Sequence, residues 1–186
     1  MAKTAIFLAD GFEEIEALAV VDLLRRAQIG IDMISIMPGK RVMGSHQIPV
    51  EADLLFQDLT EADLDAYDML ILPGGGVGTK NLEACAPLKE AVARFDAAGK
   101  YISAICAAPG IFGRMGLLKG RKATCYPACE EESWGANLVH RETVTDDHIL
   151  TSRGMGTSIP FGLAIVARFQ GEAAAQALAE RIVFRA

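Results

Sequence analysis

The sequence predicts an α/β domain with a mostly parallel sheet covered on both faces by helices. Three observations point there. Runs rich in Val, Ile and Leu alternate with Ala-rich helical patterns of about 10 to 15 residues. The runs are apolar throughout, as strands buried on both faces are. Glycines follow several of them, where strand-to-helix loops belong.

Ala5 to Ala9 is the first strand candidate, ending in Asp10-Gly11. A helical pattern from about Glu13 to Ala27 follows, then Gly30 and a second strand over Asp32 to Met37, which completes a βαβ unit. Lys40 to Glu51 reads as a hairpin or irregular excursion after the Pro38-Gly39 turn. Asp68 to Leu72 is a buried strand running into Pro73-Gly-Gly-Gly, with helix at Asn81 to Ala84 and Pro87 to Ala98. Tyr101 to Ile105 is the next strand and ends on Cys106, with helix from Ala107 to about Met115. A short strand is expected around Ala123 to Cys125. Val139 to Val144 and His148 to Ser152 should form a hairpin about Asp146-Asp147, before helices beginning near Thr157 and Glu172.

The 186 residues fit a single domain, 1–186, with no repeat or low-complexity tract. A formal charge of −6 leaves no basic stripe for phosphates, which argues against nucleic acid and anionic membrane as partners. The N-terminal apolar run is too short for a signal peptide, and no stretch approaches the ~20 residues that span a bilayer. The expected compartment is the cytoplasm. Four cysteines, at 85, 106, 125 and 129, form no Cys-x-x-Cys pair, so no structural disulfide is expected there. Neither a metal nor another cofactor is expected, since Cys125 and Cys129 have no further ligand pair nearby.

In parallel α/β sheets, ligands bind beyond the carboxyl ends of the strands. Cys106 stands at such an end, directly before a helix, where unpaired backbone N–H groups would lower the thiol pKa to roughly 3.5–7.5. The alternative is an ordinary core cysteine. Gly74, Gly75 and Gly76 either make a tight turn or present N–H groups to a substrate oxygen, with the Ala107 amide as a second donor. Glu13 and Glu14 are read as complementing the helix dipole. Glu16 differs: it shares a stripe with Val20, Leu23 and Ala27, which turns its carboxyl toward the buried side, where desolvation favours the protonated form. His46 and His148 lie in polar, turn-like sequence and read as solvated.

Taken together, Gly11-Phe-Glu-Glu-Ile-Glu16, Leu72-Pro-Gly-Gly-Gly76, Ala104-Ile-Cys-Ala-Ala-Pro109 and Thr151-Ser-Arg-Gly-Met-Gly-Thr-Ser158 closely resemble the ThiJ/PfpI superfamily, in the branch of the parkinsonism-associated deglycase. The match runs along essentially the whole chain. It implies a flavodoxin-like three-layer sandwich, a nucleophile-elbow cysteine at Cys106, a protonated glutamate at Glu16 and a homodimer. The implied activity is cofactor-independent chemistry on reactive 2-oxoaldehydes: glyoxalase III conversion of methylglyoxal to lactate, or removal of glycated adducts. Redox-sensing and chaperone roles through an oxidisable Cys106 are the implied alternative. In this family, residues such as Asp22, Arg26 and Arg153 line the dimer contact beside the cleft, and a basic residue near the cleft mouth matches His46.

The sequence also departs from its relatives. Ala107 stands where PfpI-type members carry His after the cysteine, and Tyr126 stands where the deglycase branch brings a His toward it; Tyr126 either donates to substrate or simply packs. His140-Arg141-Glu142 has the His-x-Glu spacing of class I glutamine amidotransferases. Alternation, however, places His140 and Glu142 on a strand, and Ala104 and Ala108 replace the glycines that flank that family's nucleophile.

Overall fold

The computed structural model describes residues 2–185. Its centre is a seven-stranded sheet. In chain order the main elements are β1 (Lys3–Leu8), α1 (Glu14–Arg26), β2 (Gly30–Ser35), the β3 (Arg41–Met43) and β4 (Pro49–Glu51) hairpin, the edge strand β5 (Leu54–Leu55), α2 (Glu61–Asp65) and β6 (Met69–Leu72). There follow α3 (Gly76–Ala84), α4 (Ala86–Ala97), β7 (Tyr101–Ile105), α5 (Pro109–Arg114), β8 (Lys122–Ala123), β9 (Asn137–Leu138), β10 (Thr143–Asp146), β11 (Ile149–Ser152), α6 (Ser158–Gln170) and α7 (Glu172–Arg181).

The sheet order is β10-β11-β7-β6-β1-β2-β5, and every neighbouring pair is parallel except the β10–β11 hairpin. Alternate residues of β1 feed two cores. Ile6 and Leu8 face α1, α6 and α7; Ala5 and Phe7 face the layer holding α4 and α5. Because β7, β6 and β1 lie side by side, the loops after them meet at one edge of the sheet. That edge carries Cys106, Gly74 and Glu16.

Several elements differ from the sequence-based expectation. Helix α3 begins at Gly76, five residues earlier than expected, although Gly-Val-Gly-Thr has poor helix propensity. Gly75 at φ +98° turns the chain into it, and the Gly78 N–H anchors it by donating to the Gly11 carbonyl at 3.0 Å. Tertiary contact overrides propensity here. Strand β8 stops at Ala123, because the chain leaves it to bring the Tyr126 N–H onto the Cys106 carbonyl at 2.8 Å. His140 and Glu142 are not on a strand; they lie in the loop between β9 and β10. Strand β5 and helix α2 are elements the sequence pattern does not predict, although Thr60 and Asp63 form a capping box that marks the start of α2.

His148 is not solvated. It is buried, with Nε2 2.8 Å from Asp96 Oδ1 and Nδ1 2.9 Å from Asp147 Oδ2, tying the β10–β11 turn to α4. No described helix is long and apolar enough to cross a membrane.

Candidate active site

Cys106 is half-buried on the turn between β7 and α5, in the left-handed region at φ +65°. A non-glycine residue there carries backbone strain of about 1–3 kcal/mol and persists only where its surroundings hold it. They do so at both peptide groups. The Cys106 N–H donates to the Ser152 carbonyl at 3.0 Å, and its carbonyl accepts from Tyr126. Ser152 is itself held: its Oγ donates to the Glu142 carbonyl at 2.7 Å and lies 2.7 Å from Thr157 Oγ1. The Thr151 to Ser158 segment thus braces the elbow.

Glu16 reaches this turn from α1. Its stripe is buried as expected, with Glu16 1% exposed beside Val20 and Leu23. One carboxylate oxygen accepts the Gly74 N–H at 2.9 Å, and the carboxyl group lies within hydrogen-bonding reach of the Cys106 thiol. Gly74 is the spacer between them. A Cβ at Gly74 would come within 2.6 Å of the Cys106 Cβ and strike the Glu16 carboxylate. The Gly74 N–H, a candidate oxyanion donor from its sequence position, is taken by Glu16, so Gly74 positions the carboxyl instead. The Gly75 and Ala107 amides do face the sulfur.

Burial pushes the Glu16 carboxyl up, the thiol and the Gly74 amide pull it back, and the Glu13 charge adds to the rise, leaving it at about 7. Cys106 is also pushed up, by burial first and then by the charge of Glu16 and its hydrogen bond; the Ala107 and Gly75 amides oppose this without reversing it. The expected lowering by a helix end does not occur. Helix α5 has only six residues and starts three positions past the cysteine, so two amides replace the helix dipole. The thiol and carboxyl therefore form a coupled pair, each group's titration depending on the other's charge.

The remaining sequence candidates are distributed around this centre. Tyr126 is 48% exposed, and its ring lies beside the sulfur: a Cβ at Gly154 would sit 3.4 Å from Tyr126 Cδ2 and 4.0 Å from Cys106 Sγ. It reaches that place from the start of a 3₁₀ turn rather than along a strand. Cys125, next to it, is buried in the opposite direction, and burial pushes its thiol up to about 12.

His46 is exposed at the turn of the β3–β4 hairpin, its Nδ1 3.1 Å from Glu14 Oε2. Glu14 does more than complement the helix dipole: it is only 4% exposed and bonded to the hairpin. Burial pushes its carboxyl up, but the His46 ring and amide and the Ser45 hydroxyl outweigh that and hold it at about 2. Asp22 and Arg26 pair with each other on the surface of α1, with Arg26 Nε 2.5 Å from Asp22 Oδ2. The Arg153 guanidinium donates to His140 Nδ1 at 2.9 Å and lies 3.9 Å from Glu130. That occupies His140, and among the described residues no histidine bonds the Cys106 sulfur. A groove of about 1000 Å³ between β10, α6 and α7 lies apart from all these groups.

Fold and site together define a flavodoxin-like α/β protein with an elbow cysteine governed by a buried glutamate. The family model described as DJ-1/PfpI matches residues 2–168, and the chain belongs to that family. Among curated relatives, Protein DJ-1 homolog B of Arabidopsis thaliana is 36% identical over 98% of this chain and 42% of its own length. The glutathione-independent glyoxalase DJ-1 of Schizosaccharomyces pombe is 31% identical over 89% of this chain and 90% of its own length. The chain spans less than half the length of the two Arabidopsis relatives it matches. A solved structure of a cysteine-to-alanine mutant of a DJ-1 superfamily protein from Salmonella typhimurium superposes with a TM-score of 0.90 at 34% identity over the whole of both chains.

Proposed function

We propose that this protein is a cofactor-independent cysteine enzyme that converts methylglyoxal and related 2-oxoaldehydes to 2-hydroxy acids. One observation carries the reading: the Glu16 carboxyl lies against the Cys106 sulfur while the Gly75 and Ala107 amides face the same atom. The glyoxalase name of the S. pombe relative supports the substrate class.

The thiol of Cys106 passes its proton to the Glu16 carboxylate as sulfur attacks the aldehyde carbon. The hemithioacetal oxygen forms at the two amides and takes that proton back from Glu16. Glu16, again ionised, removes the C1 hydrogen to give an enediolate; the hydroxyl proton passes from the C1 oxygen to the C2 oxygen and Glu16 returns its proton to C2, leaving a thioester of lactate. Water hydrolyses the thioester and restores the thiol. Electrons move only between adjacent carbons, so the cycle balances without an external oxidant or reductant. Glycated adducts with a hemithioacetal-competent carbon fit the same scheme.

Under this reading the protein is cytoplasmic and homodimeric, with Asp22, Arg26 and Arg153 at or near the contact and Tyr126 and His46 at the cleft mouth. Light scattering after gel filtration tests the dimer. The decisive experiment assays lactate from methylglyoxal without glutathione. Cys106→Ala should abolish formation; unchanged lactate would remove Cys106 from the mechanism.

A second reading is oxidation sensing, favoured by a Glu16 carboxyl placed to hydrogen-bond a sulfinate on Cys106. Mild peroxide followed by mass spectrometry should then modify Cys106 before Cys85, Cys125 or Cys129.

A further inference from the structure

Glu13 belongs to a closed ring of three hydrogen bonds that the chemistry above does not use. The Glu13 N–H donates to the Gly74 carbonyl at 2.9 Å. The Gly74 N–H donates to Glu16 Oε2 at 2.9 Å, and the Glu16 N–H donates to Glu13 Oε2 at 2.7 Å. The ring joins the loop after β1 to the loop after β6, and its last side runs through the Glu13 carboxylate. Capping α1 needs only an oxygen, which Ser or Asn supplies. Glu13 adds a negative charge beside a carboxyl group that is already buried.

We infer that Glu13 is a positioning residue that holds the Glu16 carboxyl at Gly74 and, through its charge, keeps the proton on that carboxyl to higher pH. This rests on the reading of Glu16 as the proton carrier for Cys106. The titratable groups facing Glu16 are Cys106 from the elbow and Glu13 from its own loop, and the buried face of α6, packed on α1, carries none. Behind Glu13 stand Glu14 and His46, whose ligand atoms lie with its own within 4.8 Å of one another. The Glu14 charge is already met there by Ser45 and His46. Glu13 is thus the acid directed at Glu16, and its charge acts on it in the upward direction.

The test is the rate of Cys106 alkylation by iodoacetamide from pH 5 to 9, with Cys106 followed by peptide mass spectrometry and kcat and KM for methylglyoxal measured alongside. Wild type should show a limb as the thiol–carboxyl pair loses its first proton. Glu16→Gln leaves the thiol to titrate alone, so its midpoint should leave the wild-type value. Glu13→Gln keeps an oxygen for the cap and loses the charge, so its limb should move ~0.5–1 pH unit toward acid. Glu13→Asp keeps the charge, and its midpoint should stay near that of wild type. A Glu13→Gln midpoint equal to wild type, with that of Glu16→Gln displaced, overturns the role of Glu13 and leaves that of Glu16 standing. A Glu16→Gln midpoint equal to that of wild type overturns both. If Glu13→Gln does not fold, Glu13→Asn, a stronger neutral cap, carries the same comparison.

Discussion

Glu14 and Glu16 stand two residues apart on the first turn of α1, are 4% and 1% exposed, and are driven in opposite directions, to about 2 and about 7. Desolvation is the largest influence on Glu16 and raises it, whereas at Glu14 the hydrogen bonds from His46 and Ser45 outweigh it, so the walls they face set both how far each carboxyl is desolvated and what compensates it. Glu14 enters the turn of the β3–β4 hairpin and receives an amide at 2.7 Å, a hydroxyl at 3.1 Å and an imidazole nitrogen at 3.1 Å. Glu16 enters the elbow and receives one amide, with a thiol and the negative Glu13 for neighbours. A glycine lies against each: Gly44 against the Glu14 carboxylate and Gly74 against that of Glu16. The first wall favours the ionised carboxyl, the second the protonated one, a state the proposed chemistry passes through.

Substitutions that split the two walls test this contrast. The largest effect is expected for Glu16→Gln, which should lower kcat/KM for methylglyoxal by roughly 10²–10⁴-fold. It should also change the pH dependence of stability. The folded state holds the Glu16 proton to about 7 against an ordinary 4.5, so its contribution is fully present below 4.5 and is lost as pH rises through 7. Removing the charge should therefore stabilise the protein at pH 8 by about 1–3 kcal/mol and leave it nearly unchanged at pH 4, as read by urea unfolding.

Alanine at the two glycines separates chemistry from folding. Gly74→Ala should cost roughly 100-fold or more in kcat/KM, because its methyl must displace the pair. Gly44→Ala should cost about 1–3 kcal/mol of stability while activity stays within several-fold of wild type. Equal activity losses at both positions would erase the distinction.

Glu14→Gln is next, expected to destabilise by about 1–3 kcal/mol at pH 7. Its pH sign is opposite to that of Glu16. The folded carboxyl lies at about 2, so its contribution is present above 4.5 and is lost as pH falls toward 2. Wild type and variant should converge there in acid unfolding. The smallest effect is expected for Ser45→Ala, about 0.5–1.5 kcal/mol from one of three donors, with no change in the alkylation profile of Cys106.

The inward stripe of α1 was readable because helical periodicity is a local property, and it placed Glu16 on the buried face. The same periodicity could not separate Glu14 from a surface acid, since its partners Ser45 and His46 lie 31 and 32 residues away in sequence. His148 misled for the same reason: its neighbours look polar, and Asp96 is 52 residues distant. Helix α3 was hidden by its glycines, of which Gly78 serves close approach to the loop after β1 rather than helix propensity.

By itself the sequence determined the alternation of strands and helices, the strand-end position of Cys106 and the family, because each depends on short-range pattern or motif order. Only the tertiary structure decided the ionisation of the centre. It set β7, β6 and β1 side by side, so that Cys106, Gly74 and Glu16 converge, and it buried the thiol beside a carboxyl group. A position before a helix pointed to a lowered thiol; in the packed site burial and the neighbouring Glu16 push that thiol up instead. Desolvation and charge–charge contact depend on what surrounds a group in space, and those surroundings come from segments far apart in the chain.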